Sequence, residues 1–345
     1  MEVQRKYSQK IVTLGGGGGN NMFLRGLTRL NENSKNTAIY GGWDDGSRSG
    51  EARLKFGIVP PGDYFMCLYG LMESDEQERV AMALLNDRTQ KRMLRDLIAV
   101  RAERMYHGHE AGTDALRTLF RVQGDLINVT NLDVRLLADT KTGKRISGET
   151  KIDKREDDED FDPADVIRNI YFDNVPKATQ RAIDAIMGAD KIVIPPGSPY
   201  TSIFPHLKVQ GIAEAIMQSK AKLIIVPNLT TAPGEDIHLK TIELWLQEYQ
   251  HLLAGFGINL DDAKRRIDYL VANSGKVDSE LVKMYDDKGQ VLVKYDVRKI
   301  QRVARGIKIV RADLIDREEE RNRFIRHDSI PTARTVLELP YGRAV

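Results

Sequence analysis

Short runs of β-branched and aliphatic residues recur along the chain, each breaking into a loop of Gly, Pro or small polar residues before a longer stretch with helical spacing. Lys10-Ile-Val-Thr-Leu14 runs into the glycines 15–19, Thr37-Ala-Ile-Tyr40 into Gly41-Gly42, Lys191-Ile-Val-Ile194 into Pro195-Pro196-Gly197, and Leu223-Ile-Ile-Val226 into Pro227-Asn228. Strands joined by crossover helices produce this alternation, so the expected fold class is α/β, a doubly wound, mainly parallel, Rossmann-like sheet. Open parallel sheets bind ligands beyond the carboxyl ends of their strands, and the loops are expected to converge on one crevice. At 345 residues the chain has room for one large α/β domain or two ordinary ones. We read one domain over 8–345 with a helical insertion over 74–119, where Arg, Glu, Leu and Met recur at helical spacing without an internal Pro.

Asp133 to Ile152 reads as two strands around a turn at Lys141-Thr-Gly-Lys144. The charge run from Lys154 to Asp160 reads as a solvated loop, because its adjacent carboxylates lack oxygen-ligand spacing. Val175–Met187 and Ile237–Leu253 carry amphipathic helical spacing, and Asp268–Asn273 reads as a strand. A composition of 41% hydrophobic and 30% charged residues excludes collagenous, disulfide-scaffold and wholly disordered chains. Lys+Arg at 52 against Asp+Glu at 50 gives a net charge of +2, which removes the global basic field expected of a nucleic-acid binder. Met1–Lys10 lacks the apolar stretch of a signal peptide and no uncharged run approaches a membrane span, so a cytoplasmic location is expected. Cys67, the single cysteine, lies in the apolar run Phe65-Met66-Cys67-Leu68 and is expected to be a buried thiol without a disulfide.

The first loop suggests a phosphate cradle. Gly16, Gly17, Gly18 and Gly19, then Asn20 and Asn21, lie between a strand and a helix, where glycine lets successive N–H groups approach an anion. No Gly-Lys-Ser or Gly-Lys-Thr follows, which disfavours P-loop chemistry, and Asn20 occupies the last glycine position of a dinucleotide fingerprint. In Gly41-Gly42-Trp43-Asp44-Asp45-Gly46-Ser47-Arg48-Ser49-Gly50, the pair Asp44 and Asp45 suits a divalent cation, a ribose hydroxyl or acid–base work, alternatives the sequence leaves open. Ser47 and Ser49 add hydroxyls. Asp63, after Pro60-Pro61-Gly62, stands where a helix N-cap or a ligand contact is expected. Gly197, Ser198, Tyr200 and Thr201 fit a second anion or nucleotide contact, and Asn228 through Glu235 a far wall. His107 and His109 suit zinc only with a third ligand from elsewhere, and no Gly-x-Ser-x-Gly elbow occurs.

Taken in order, these segments resemble the CofD/YvcK family, which joins 2-phospho-L-lactate transferases to gluconeogenesis factors that bind UDP-sugars. Ile11–Leu27 is similar to the family's Gly-Gly-Gly-Thr-Gly loop and Leu-Arg-Gly-Leu helix, Asp44-Asp45-Gly46 to Gly50 to its Asp-Asp-Gly-Gly-Ser-Ser-Gly loop, and Phe56–Asp63 matches almost residue for residue. Gly108-His109, Pro196-Gly197-Ser198 with Tyr200-Thr201-Ser202, and Asn228-Leu229 with Pro233-Gly234-Glu235 resemble the gluconeogenesis-factor branch, and the likeness runs from about Lys10 to Asp328. The resemblance implies a UDP-sugar role for Tyr285, in Met284-Tyr285-Asp286, and for Arg326, in Arg326-His327-Asp328; a phenol ring can stack on uracil and a guanidinium can clamp a diphosphate. The chain departs at Gly18, where the family has Thr, at Asn20-Asn21 for Leu-Ser, at Phe65-Met66 for Arg-Asn, and at Thr113 for Asn.

The resemblance therefore implies a regulatory, cytoplasmic nucleotide-sugar-binding protein of carbon metabolism and cell-envelope synthesis, including cell shape. Mg2+ at Asp44 and Asp45 is the one cofactor this reading allows, and it allows self-association into a homo-oligomer. The alternative is a CofD-like phosphotransferase that moves a phospho-lactyl-type group from a nucleoside diphosphate donor to an alcohol, a deazaflavin in its specific form. An NAD-dependent oxidoreductase is a third class.

Overall fold

The computed structural model describes residues 9–30, 33–46, 49–89 and 92–341. In chain order the strands are β1 (Gln9–Leu14), β2 (Ser34–Tyr40), β3 (Arg88–Thr89), β4 (Arg92–Met93), β5 (Asp125–Asn128), β6 (Leu136–Thr140), β7 (Arg145–Ser147), β8 (Ile167–Phe172), β9 (Lys191–Ile194), β10 (Lys222–Ile225), β11 (Tyr269–Asn273) and β12 (Lys308–Ala312). Seven of them form one sheet in the order β12-β11-β10-β9-β1-β2-β5, and every neighbouring pair is parallel. The chain winds outward from β1 through β2 to β5, then returns to lay β9 on the other side of β1. The topological switch point therefore lies between the glycine loop after β1 and the Pro195–Gly197 loop after β9.

Alternate residues of the central strands enter different cores, as a sheet covered on both faces requires. Val12, Leu14, Ile39, Ile192, Ile194, Leu223 and Ile225 join helices 180–187, 212–218 and 242–254. Ile11, Ala38, Tyr40, Val193, Ile224 and Val271 join helices 17–30, 61–70 and 329–338 on the opposite face. Lys191 ties the last of these helices to the middle of the sheet. Fully buried, its ammonium donates to the Val336 and Leu337 carbonyls at 2.8 Å each, satisfying groups that a helix C-terminus leaves open. Lys191→Met is expected to cost about 2 kcal/mol, read as a lower urea midpoint; an unchanged midpoint would contradict this role.

The span read as a helical insertion holds helices Asp75–Leu85, Leu94–Met105 and His109–Leu119, with the β3–β4 ribbon between the first two. Ser74 caps the first by accepting from the Gln77 N–H. After β5 a second sheet of order β7-β6-β8 is antiparallel. Here the structure departs from the sequence reading. The second strand stops at Ser147, Gly148 turns with φ +109°, and Glu149–Asp153 is a short helix. Only glycine enters that backbone region without strain. Likewise Thr179 caps a helix that starts at Gln180, and Ile237–Leu253 divides into a 3-10 turn at Ile237–Leu239 and a helix from Ile242 capped by Thr241. No helix among the described residues is long and apolar enough to cross a membrane.

Candidate functional site

Helix Gly17–Leu30 points its N-terminus at the switch point. The Gly17 N–H donates to Asp63 Oδ1 at 2.9 Å. Asp63 is not the cap of its own helix, as its position after Pro60-Pro61 suggested. Pro60 takes the cap position, Pro61 opens helix 61–70, and Asp63 lies inside the first turn, because proline is preorganised for the first helical position. Its carboxyl instead occupies the anion position of the glycine-loop helix. Gly16 packs against the Ser202 side chain and Gly19 against the Pro196 carbonyl, whereas Gly18 is exposed with open space beside it. Asn20 donates to the Gly15 carbonyl at 2.7 Å, and Asn21 to Met66 and Glu78 at 3.1 and 3.0 Å. Both asparagines hold the loop in place from within.

Asp44 and Asp45 part company. Asp44 Oδ1 accepts from the Gly46 N–H at 2.8 Å, and its charge bears on Asp63 and Glu149. Asp45 Oδ1 accepts from the Thr150 N–H at 2.9 Å, and its carboxylate lies against Gly148, so it anchors helix Glu149–Asp153. Trp43 is buried and donates from Nε1 to the Thr201 carbonyl at 2.8 Å. Ser47 lies outside the described residues, as does the side chain of Ser49, whose backbone opens helix 49–56. Among the described residues no three His, Cys, Asp or Glu side chains are gathered to hold a metal ion.

On the other side of the switch, Gly197 and Asn228 pair reciprocally. The Gly197 N–H donates to Asn228 Oδ1 at 2.7 Å, and Asn228 Nδ2 donates to the Gly197 carbonyl at 2.8 Å. Pro199–Ile203 forms a π-helical turn, a geometry often found at functional sites. The Tyr200 and Thr201 N–H groups both donate to Glu235 Oε1, at 2.6 and 2.9 Å, and the Tyr200 hydroxyl pairs with His238 Nε2 at 2.9 Å. Tyr200 and Thr201 are buried and shape the wall from behind, while Ser198 remains partly open.

The charge state of the carboxyls around these strand-end loops follows from burial. Glu149 is pushed up to about 9 by desolvation, then by Asp44, Asp153, Asp63 and Glu235. Asp63 is pushed up to about 7 by desolvation and the Asp44 charge, against the Gly17 hydrogen bond. Burial also raises Glu235 and Asp236, neighbours whose titrations are linked. Burial thus favours the neutral form of these carboxyls, Glu149 most of all, while Asp63 stands near its midpoint at neutral pH, where it can exchange a proton. Sequence reasoning missed Glu149, which sits in a segment read as strand, and Asp153, the residue just past that segment. The only local signal was Gly148, a strand breaker.

Tyr285, from helix Ser279–Asp286, packs with Leu229, Leu281, Ile315 and Ile325, and its hydroxyl accepts from the Ile325 N–H at 3.0 Å. The next residue, Arg326, is exposed. The fold thus brings these two segments together beside Leu229, which also lines a cleft of about 320 Å³ with Asn228, Asn273, Lys276 and Leu292. His109 sits between the Tyr40 hydroxyl and Glu103, at 2.8 and 2.7 Å, while His107 is exposed. Cys67 is fully buried.

The profile of the family described as 2-phospho-L-lactate transferase CofD matches residues 11–315. A putative gluconeogenesis factor from Thermoanaerobacterium thermosulfurigenes is 32% identical over 336 residues, 96% of either chain. The chain belongs to the CofD/YvcK family. The Bacillus subtilis gluconeogenesis factor is 29% identical, over 96% of this chain and 98% of its own length. Protein BH3568 of Bacillus halodurans, 26% identical, superposes with a TM-score of 0.82 over 96% of this chain and 100% of its own. Where the chain departs from the CofD/YvcK motifs, the replacements face inward. Asn20 and Asn21 brace the loop, Phe65 is fully buried, and the buried Thr113 reaches the Tyr40 hydroxyl. Gly18 is the departure that opens outward.

Proposed function

We propose that the chain binds a nucleoside-diphosphate sugar, of the UDP-sugar type, at the carboxyl ends of β1, β2, β9 and β10, and that this binding serves regulation of carbon metabolism and cell-envelope synthesis. The observation that carries the reading is the meeting of the glycine-loop helix, Asp63 and the Pro196–Ser198 loop at the switch point, where the Gly17 N–H reaches Asp63 and Gly19 packs on the Pro196 carbonyl, beside carboxyls whose burial favours the neutral form. Backbone N–H groups there suit phosphates, and neutral carboxyls remove charge that would repel them. The cleft beside Asn228 suits the remainder of the ligand, with Arg326 nearby for a diphosphate and Tyr285 holding the cleft wall. Magnesium, if recruited, would be held by Asp44 and would offset phosphate charge, since such ions commonly use one or two carboxylates with phosphate and water. Names of relatives as gluconeogenesis factors support the metabolic part.

Thermal-shift measurement with UDP-sugars, GDP and NAD, with and without Mg2+, tests the reading. A ligand at about a hundred times its dissociation constant stabilises by about 2.7 kcal/mol, so a rise of several degrees with UDP-sugars is expected. No rise with any UDP-sugar overturns it. A second reading, transfer of a phospho-lactyl-type group to an alcohol, is favoured by the family description and by Asp63, whose buried carboxyl is placed to exchange a proton near neutral pH. With a nucleoside diphosphate donor of the group supplied, appearance of the phosphorylated alcohol acceptor, a deazaflavin first, together with release of the nucleotide leaving group, would establish it over the binding role.

A further inference from the structure

The acidic run after helix Glu149–Asp153 is a sequence feature that the crevice leaves unused. It turns through a 3-10 helix at Arg155–Asp157, and Glu156, Asp157, Asp158, Glu159, Asp160 and Asp162 are all exposed. Lys144 answers Asp160 at 2.9 Å and Asp158 at 3.5 Å. Beneath them lies Arg155, 5% exposed, with its guanidinium over the Phe161 ring at 5.3 Å. Its Nε and Nη1 lack an acceptor among the described residues. Beside the run opens a cleft of about 600 Å³ walled by Phe161, Pro163, Pro233 and Ile237, with Glu156 of the run and the Lys288 cation at its edges.

We propose that this cleft and its acidic rim dock a partner polypeptide, an extended segment with one large apolar or aromatic anchor flanked by two or more Lys or Arg residues. The walls suit the anchor, whose burial there takes apolar surface out of water. The rim suits the flanks: its carboxylates are strung along the chain, not gathered on one point, so they match successive basic side chains better than a single small cation. The same field repels nucleic acid and anionic lipid. One wall of the cleft, Pro233–Ile237, carries Glu235 on its inner side, the acceptor for the Tyr200 and Thr201 N–H groups. A docked segment therefore presses on the loop that shapes the strand-end crevice. The inference stands independently of the nucleotide-sugar reading.

The test pans a random peptide library of about a dozen residues per member against the full chain at low salt. Enriched sequences are expected to join an aromatic, Leu, Ile or Met residue to a basic cluster. A synthetic peptide of the enriched consensus is expected to bind at least about tenfold more weakly to the triple variant Asp157→Asn, Asp158→Asn, Glu159→Gln, to lose a similar factor to Ile237→Ser, and to weaken as salt rises. The triple variant changes only exposed residues, and melting curves confirm that both variants are folded. Enrichment of acidic or uncharged sequences, no enrichment over a control protein, or equal binding to either variant would overturn the proposal. So would binding of single-stranded DNA in place of basic peptides.

Discussion

Asp63→Asn is expected to bind a UDP-sugar about tenfold more tightly than the wild type at pH 8, and equally at pH 6. The Asp63 carboxyl accepts the Gly17 N–H at the start of the glycine-loop helix, where a ligand phosphate would place its own negative charge. With its pKa pushed up to about 7 by burial and by Asp44, it is mostly neutral at pH 6 and mostly ionised at pH 8. If only the neutral form admits a phosphate, apparent affinity falls about tenfold per pH unit above that value. Asparagine keeps the acceptor oxygen for Gly17 and cannot ionise, so the difference between variant and wild type isolates this one group from Glu149 and Glu235. Calorimetric titration at the two pH values gives the comparison, and parallel pH profiles for the two proteins would sink the idea. Stability carries the same signature with a definite sign. A carboxyl whose folded value lies above its unfolded one favours the fold most below about pH 4, and that contribution disappears as pH rises through about 7. The wild type should thus lose on the order of 2–4 kcal/mol over that window through Asp63, and the variant should not.

Gly19→Ala is expected to destabilise the protein by at least about 4 kcal/mol, while Gly18→Ala leaves stability unchanged or slightly improved. A Cβ at Gly19 would overlap the Pro196 carbonyl oxygen, a backbone atom that cannot rotate away. The chain after β1 would have to separate from the chain after β9, opening the switch point itself. At Gly18 a Cβ meets nothing within 4 Å, and alanine is the better helix former. Urea unfolding of both variants measures the contrast. Equal midpoints would mean that the two loops do not pack as described. If Gly18→Ala also weakens UDP-sugar binding while the fold stands, the Gly18 position faces ligand; if binding is unchanged, phosphate approaches elsewhere on the helix end.

The sheet was legible because parallel strands covered on both faces must be apolar along their length, and β1, β2, β9, β10 and β11 read that way. Edge strands β5 and β12 and the strand β8 of the small sheet were not. Asp125–Asn128 is covered on both faces but has only two apolar residues between polar ends, while Lys308–Ala312 and Ile167–Phe172 carry exposed polar positions, and such short mixed runs have no period to detect. The loops at the site were legible for the same local reason, since Gly and Pro after a strand mark a turn whatever lies opposite.

What each loop residue does was decided only by the tertiary structure. Asp63 and Gly17 are 46 positions apart, Asp45 and Thr150 are 105, Tyr200 and Glu235 are 35, and no periodicity encodes such meetings. By itself the sequence determined the α/β class, the glycine-loop helix and the family. The fold alone determined that Asp44 lies near Asp63 and Glu149 while Asp45 turns to a helix, and that Tyr200 and Thr201 are buried against Glu235. Strand and turn preferences act between neighbours in the chain, whereas desolvation and charge act between neighbours in space.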